Sequence, residues 1–222
     1  MKRKTLLPIM RFLLTHLAQV EFTGTEHVPP VGGVLVATNH LSRLDTPLLF
    51  INPVRPDITA LVGDTYKKYL FFRPILDAGG VIYIDRSKAD FSAFRAGVEV
   101  LKKGYALGIA PEGTRSQRGQ LLEGKAGAAL LADKADVPVV PVGLYGTEDA
   151  LAKIFSLRRP VLHVNFGPVF HLSPIRREYR EQDLQRNTDE IMARIAVLLP
   201  ERYRGFYGNH PRVRQLLGGQ FA

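Results

Sequence analysis

The chain has 222 residues, 45% of them hydrophobic, which is enough for one sizeable core. It has no cysteine, which excludes disulfides, thiolate metal sites and a cysteine nucleophile and fits a reducing compartment. Its 30 Lys and Arg against 21 Asp and Glu leave a formal charge of +9, pointing to an anionic partner: nucleic acid, a membrane surface or a phosphorylated substrate.

At the amino terminus, Lys2-Arg3-Lys4 precedes Leu6, Met10, Leu13 and Leu17, with Leu7 and Leu14 beside them. This is the spacing of an amphipathic basic helix, assigned to residues 1–20. Spanning a bilayer takes about 20 apolar residues, and Arg11 interrupts this run. That Arg, and the lack of a small-x-small cleavage site at Ala18-Gln19-Val20, also argue against a secretory signal. Two readings stay open: a helix packed on its own domain, or one lying in the membrane interface.

Gly33-Val34-Leu35-Val36-Ala37 is short and apolar, as a buried strand is. Thr38-Asn39-His40-Leu41-Ser42-Arg43-Leu44-Asp45 follows it, with a histidine five residues before an aspartate. On a continuous helix that spacing would leave the two side chains roughly 140° apart, so a helix does not pair them. A strand-to-helix turn does. Asp45-Thr46-Pro47 reads as the helix start, with Asp45 or Thr46 as cap and Pro47 in the first turn. The pair then faces the carboxyl edge of the sheet, where ligands bind in open α/β folds, and reads as a base with its orienting carboxylate. In isolation it could equally be an ordinary loop pair.

Further strand-like runs are Ile58 to Val62, Val81 to Ile84, Ala106 to Ala110, Val137 to Leu144 and Val161 to Phe166. Between Asp90 and Lys103, the residues Phe91, Phe94, Val98 and Leu101 predict a helix with one core face, stopped by Gly104. Gly127 to Ala135 and Asp183 to Leu199, the latter ended by Pro200, predict two more. The alternation implies an α/β domain over residues 21–200, with a mixed, largely parallel central sheet flanked by helices. Residues 201–222 read as a loosely patterned basic tail, mobile or membrane-facing.

Two more segments stand at expected strand ends. Ala110-Pro111-Glu112-Gly113-Thr114-Arg115-Ser116 packs an acceptor, a flexible turn, a hydroxyl and a guanidinium together. Gly113 permits positive φ, and Arg115 can fork two donors onto a phosphate. Upstream, Gly80 to Ile84 is a strand ending in Asp85-Arg86. Either segment alone is also what a polar surface loop looks like.

In order, Asn39-His40 with Asp45, Gly80 to Arg86, Pro111 to Ser116, Gly124-Lys125-Ala126-Gly127 and Val137-Pro138-Val139-Val140-Pro141-Val142 resemble the motif blocks of the glycerolipid acyltransferase family. That family includes the 1-acylglycerol-3-phosphate acyltransferases. The resemblance covers roughly Val34 to Val142 and implies transfer of a fatty acyl group from a thioester, acyl-CoA or acyl carrier protein, to a glycerol hydroxyl. With a 1-acylglycerol-3-phosphate acceptor the product is phosphatidate. His40 is then the general base and Asp45 its partner, with no acyl-enzyme, no metal and no cofactor beyond the acyl donor. Arg115, with Arg86 and Lys125 as lesser partners, would take the acceptor phosphate, Glu112 would orient its hydroxyl, and Gly113 and Thr114 complete the substrate-binding set.

The short, interrupted amino-terminal segment implies peripheral attachment at the cytoplasmic face of a membrane. Other acceptors, including another lysolipid, keep the same chemistry. A basic nucleic-acid-binding module would show aromatics interleaved in a basic stripe, whereas Phe91, Phe94 and Phe155 sit in apolar patterns. A metal hydrolase lacks paired histidine spacing beside His40, and a non-catalytic relative has no need of both His40 and Asp45.

Overall fold

A computed structural model of the chain describes residues 3–70, 73–85, 87 and 90–219. Its strands are β1 (Gln19–Thr23), β2 (Val34–Thr38), β3 (Thr59–Gly63), β4 (Ile82–Ile84), β5 (Ala106–Ile109), β6 (Val139–Tyr145) and β7 (Val161–Phe166). They form one sheet in the order β1-β7-β6-β2-β5-β3-β4, parallel throughout except for the antiparallel pair β6 and β7. This is the mixed, largely parallel sheet the alternation of runs implies.

The helices are α1 (Arg3–Leu17), α2 (Asp45–Phe50), α3 (Arg73–Ala78), α4 (Phe91–Lys102), α5 (Gly127–Ala135), α6 (Ala150–Phe155), α7 (Arg180–Val197) and α8 (Pro211–Leu217). They cover both faces of the sheet, so all five residues of β2 are buried. Val34 and Val36 pack in a core with α1, α2, α3 and the start of α6. Leu35 and Ala37 pack in a second core with α4, α5, α7 and α8. Because β6, β2 and β5 are consecutive parallel neighbours, the loops leaving their carboxyl ends stand side by side. That adjacency builds the site.

Several expectations change. β1 is an additional strand, half-buried at the sheet edge, whose polar Gln19 and Glu21 hide the pattern. The short helices α3 and α6 are also additional. In α4 the buried stripe is Ala93, Gly97 and Leu101, while Phe91 is 69% exposed and is not core. Asp90 caps this helix, accepting from Ala93 N at 3.0 Å.

α1 packs one face on its own domain and leaves the other exposed. Leu6, Met10 and Leu14 are buried against the domain, whereas Ile9, Phe12, Leu13 and Leu17 are exposed. Arg3 anchors its start, donating to the carbonyls of Pro56, Ile58 and Gly79. Lys2 lies outside the described residues.

The carboxyl-terminal segment is not a loose tail. Two short 3-10 turns, Glu201–Tyr203 and Gly205–Tyr207, lead into α8, and Tyr203, Tyr207, Val213 and Leu216 are buried in the core that α7 shares. Tyr207 shows why: its hydroxyl donates to Asp189 Oδ1 at 3.1 Å and accepts from Gly124 N at 3.2 Å, so the ring can be buried with its polar tip satisfied. Phe206 N likewise donates to Leu121 O at 3.0 Å.

This packing predicts that Tyr207→Ala destabilises the fold by about 3–5 kcal/mol in urea unfolding, and Tyr207→Phe by only about 1 kcal/mol. Near-zero cost for the alanine variant would show that the segment adds nothing to the core.

Candidate active site

β2 ends at Thr38, whose register partner is Val142 of β6. The chain must then leave the sheet without orphaning the backbone of β6, and Asn39 solves this with its side chain. Asn39 Nδ2 donates to Leu144 O and Asn39 Oδ1 accepts from Leu144 N, both at 2.7 Å. The amide thus replaces one rung of the ladder, and the backbone turns out carrying His40.

The neighbouring loop after β5 clamps that backbone from both sides. His40 N donates to Glu112 Oε1 at 2.8 Å, and Ser116 N donates to His40 O at 2.8 Å. The other Glu112 oxygen accepts from Leu122 N at 2.8 Å. Glu112 is 1% exposed, and burial, reinforced by the Asp45 charge and opposed by its two N–H donors, pushes its carboxyl up to about 7. Gly113 follows at φ +69°, and a Cβ there would meet the Lys125 side chain at 3.1 Å.

Asp45 is 2% exposed and accepts four hydrogen bonds. Its Oδ2 takes Leu41 N at 2.7 Å, Ser42 N at 2.8 Å and His40 Nδ1 at 2.8 Å. Its Oδ1 takes the Thr147 hydroxyl at 2.7 Å, from the loop that leaves β6. Asp45 is the first residue of α2 but caps no N–H of that helix, contrary to the expectation for it and for Thr46. The donors of the preceding turn hold it instead.

With a carboxylate on Nδ1, that nitrogen carries the proton, and Nε2 is left as the lone-pair acceptor. The His40 side chain is 12% exposed and opens onto a largely apolar slot with Thr46, Ala60, Ile75, Leu76 and Gly108 in its walls. The slot lies on the α1 side of the sheet, since α2 and α3 form its walls. The arrangement is an imidazole held by a carboxylate beside a small, largely apolar slot, which is the geometry a general base requires.

The other expected residues divide. Arg115 is half-buried and lines a depression with Ser42, Arg43, Ser116 and Glu148. It forms no hydrogen bond or ion pair among the described residues. Lys125 is exposed in a separate depression with Asp85 and Gly113, so it does not share Arg115's pocket. Thr114 is exposed. Arg86 lies outside the described residues. Glu112, expected to orient an acceptor hydroxyl, is instead buried with each of its oxygens accepting a backbone N–H, one from His40 and the other from Leu122.

Arg43 and Thr147 complete the site and are not evident from sequence. Arg43 stacks its guanidinium 5.0 Å from the Tyr69 ring centroid and lines both the apolar slot and the Arg115 depression. Its Nε is buried with no hydrogen-bond partner among the described residues. An arginine inside a turn looks like any solvated cation, and Thr147 stands 102 residues from the carboxylate it holds.

Comparison with known proteins places the chain in a family. Residues 19–145 match the model of the family described as Acyltransferase. The chain is 27% identical over 155 residues to the 1-acyl-sn-glycerol-3-phosphate acyltransferase of Borreliella burgdorferi, covering 69% of this chain and 60% of the relative. It is 32% identical over 163 residues to the alpha form from Mus musculus, covering 65% of this chain and 53% of the relative. The chain thus spans a little over half the length of these relatives. The crystal structure of the 1-acyl-sn-glycerophosphate acyltransferase of Thermotoga maritima superposes with a TM-score of 0.62 at 25% identity, covering 86% of this chain and 80% of that one.

The buried Glu112 generates a stability prediction. Its carboxyl binds a proton up to about 7 in the fold against 4.5 when unfolded, so its contribution is fully present below pH 4.5 and is lost as pH rises through 7. Unfolding measured across that range should show the native protein losing about 3 kcal/mol relative to Glu112→Gln. Parallel stability curves for the two proteins would refute the assignment.

Proposed function

The chain belongs to the acyltransferase family, and on that footing we propose that it transfers a fatty acyl group from a thioester to the free hydroxyl of 1-acylglycerol-3-phosphate, making phosphatidate. The donor is acyl-CoA or an acyl carrier protein, and transfer is direct. The observation that carries the reading is His40: Nδ1 bonded to buried Asp45 at 2.8 Å, with the ring opening on an apolar slot.

An alcohol is a poor nucleophile near neutral pH unless a base removes its proton during attack. Nε2 of His40 takes that proton as the acceptor oxygen adds to the thioester carbonyl. Asp45 holds the ring and stabilises the imidazolium that forms. When the tetrahedral intermediate collapses, the carbon–sulfur bond breaks and the imidazolium returns the proton to the departing thiolate. The apolar walls of the slot suit apolar substrate atoms next to the reacting centre, and Arg115 with Arg43 suits the phosphate. Guanidinium–phosphate contacts strengthen where water is shielded, as at the buried Nε of Arg43.

Attachment is peripheral. No helix among the described residues is long and apolar enough to cross a membrane. The exposed apolar face of α1, beside a basic amino terminus, suits the interface of a bilayer, and we assign it to the cytoplasmic face where both donors are available.

His40→Ala should lower kcat by roughly a hundred- to ten-thousandfold in transfer to a panel of lysolipids and glycerol-3-phosphate. No transfer to any of these by folded native protein would overturn the reading. Arg115→Ala and Arg43→Ala should each raise KM for the phosphorylated acceptor by about tenfold and leave acceptors without phosphate unaffected. Equal effects on both acceptor classes would remove the phosphate from these arginines.

A further inference from the structure

The turn between α6 and β7 carries two large apolar side chains that the fold does not use. Phe155 is 84% exposed and Leu157 is 96% exposed. Leu157 also adopts φ 54°, a left-handed conformation that a leucine tolerates poorly and a glycine readily. Folding alone would place a glycine or asparagine there. A strained leucine at the tip of a turn, wholly in solvent, points to a use outside the core.

The turn is tied to α1. Arg159 Nη2 donates to Thr15 O at 2.7 Å and to Ala18 O at 3.4 Å, the carbonyls at the end of that helix. Gln19 N donates to Pro160 O at 2.8 Å. Ala150 at the start of α6 lies in the same core as Met10 and Leu14 of α1. The exposed stripe of Ile9, Phe12, Leu13 and Leu17 and the apolar pair Phe155 and Leu157 therefore stand at neighbouring places on one side of the sheet. The slot beside His40 is walled in part by α2 and α3 residues, Leu49 and Leu76, of that same core.

We propose that the turn 155–159 is a second membrane-insertion point, which together with α1 seats this side of the domain on an anionic bilayer. Charge favours a bilayer as occupant. The Arg158 side chain is exposed with no hydrogen bond or ion pair of its guanidinium among the described residues, Arg159 adjoins it, and Lys153 stands one helical turn before, paired with Asp149 at 2.8 Å. Apolar side chains on a convex tip, with arginines directly behind them, match acyl chains beneath anionic headgroups. Two points of contact, a helix and a turn, also fix orientation, which one helix lying on a surface leaves free to roll. The purpose of the contact rests on the lipid-acyltransferase reading, while the contact itself does not.

The test is partitioning of the full chain onto phosphatidylglycerol–phosphatidylcholine vesicles, measured by co-sedimentation beside a thermal melt. Leu157→Gly relieves the strained backbone, so its melting temperature should equal or exceed the native value while vesicle affinity falls roughly tenfold. Phe155→Ser should weaken affinity by a similar factor, and Arg158→Gln should do so at low salt only. Turnover of a short-chain, water-soluble acceptor should be unchanged in all three variants. Folded Leu157→Gly that binds vesicles as tightly as the native chain overturns the proposal. So does a loss of binding confined to a soluble acidic carrier protein. Absence of acyl transfer by the native chain would defeat the enzymatic reading and leave the vesicle result standing.

Discussion

A carboxylate buried to 2% exposure has to be surrounded by donors, and the donors of Asp45 come from two separate places in the chain. Two are backbone N–H groups of the turn after β2, one is the imidazole of His40, and one is the hydroxyl of Thr147 beyond β6. These meet only if β2 and β6 are parallel neighbours and α2 begins where it does. Asn39 holds the first condition, by standing in for a ladder rung against Leu144. Glu112 and Ser116 hold the second, by gripping the His40 backbone from the loop of β5. The imidazole is therefore immobilised by the sheet itself and not by its own turn alone. Placement of this kind is what a general base needs, because a small displacement from the reacting hydroxyl costs far more than a modest change in basicity.

The pair His40 and Asp45 is legible in the sequence because strand signals before it and helix signals after it confine the turn between them. The parallel sheet is legible for a similar reason: strands buried on both faces are continuous apolar runs. Other features leave no such trace. Glu112 beside Arg115 looks like a substrate contact, since a carboxylate that accepts a ligand hydroxyl and one that accepts backbone N–H groups are the same letter. Its burial and its backbone partners separate the two, and burial is a property of the packed fold. Thr147 is chosen by strand order alone. The tyrosines at 203 and 207 sit among arginines and read as a basic tail, yet their hydroxyls find Glu148 and Asp189, which lets the rings enter the core. β1 escapes notice because an edge strand, half in water, need not be apolar.

The site is divided in a way that fits a substrate with two unlike ends. His40 opens on the apolar slot, whereas the depression containing Arg115 is polar, and Arg43 lines both. An acceptor that is acyl on one side and phosphate on the other would span that boundary with its hydroxyl near the imidazole. The slot is walled in part by the core on which α1 packs, so the bilayer contact proposed at α1 and Leu157 would stand on the substrate's side of the sheet. The net positive charge is then explained by headgroups and an anionic donor, without invoking nucleic acid.

The account depends most directly on which ring nitrogen of His40 carries the proton. Nitrogen-15 NMR of the histidine-labelled protein, with His40 assigned by its absence from His40→Gln, reads this without any substrate. The neutral ring should show a protonated, pyrrole-like Nδ1 and a pyridine-like Nε2, and Asp45→Asn should abolish that preference. A proton found on Nε2 of the native protein would leave no lone pair facing the acceptor, and His40 would not be the base.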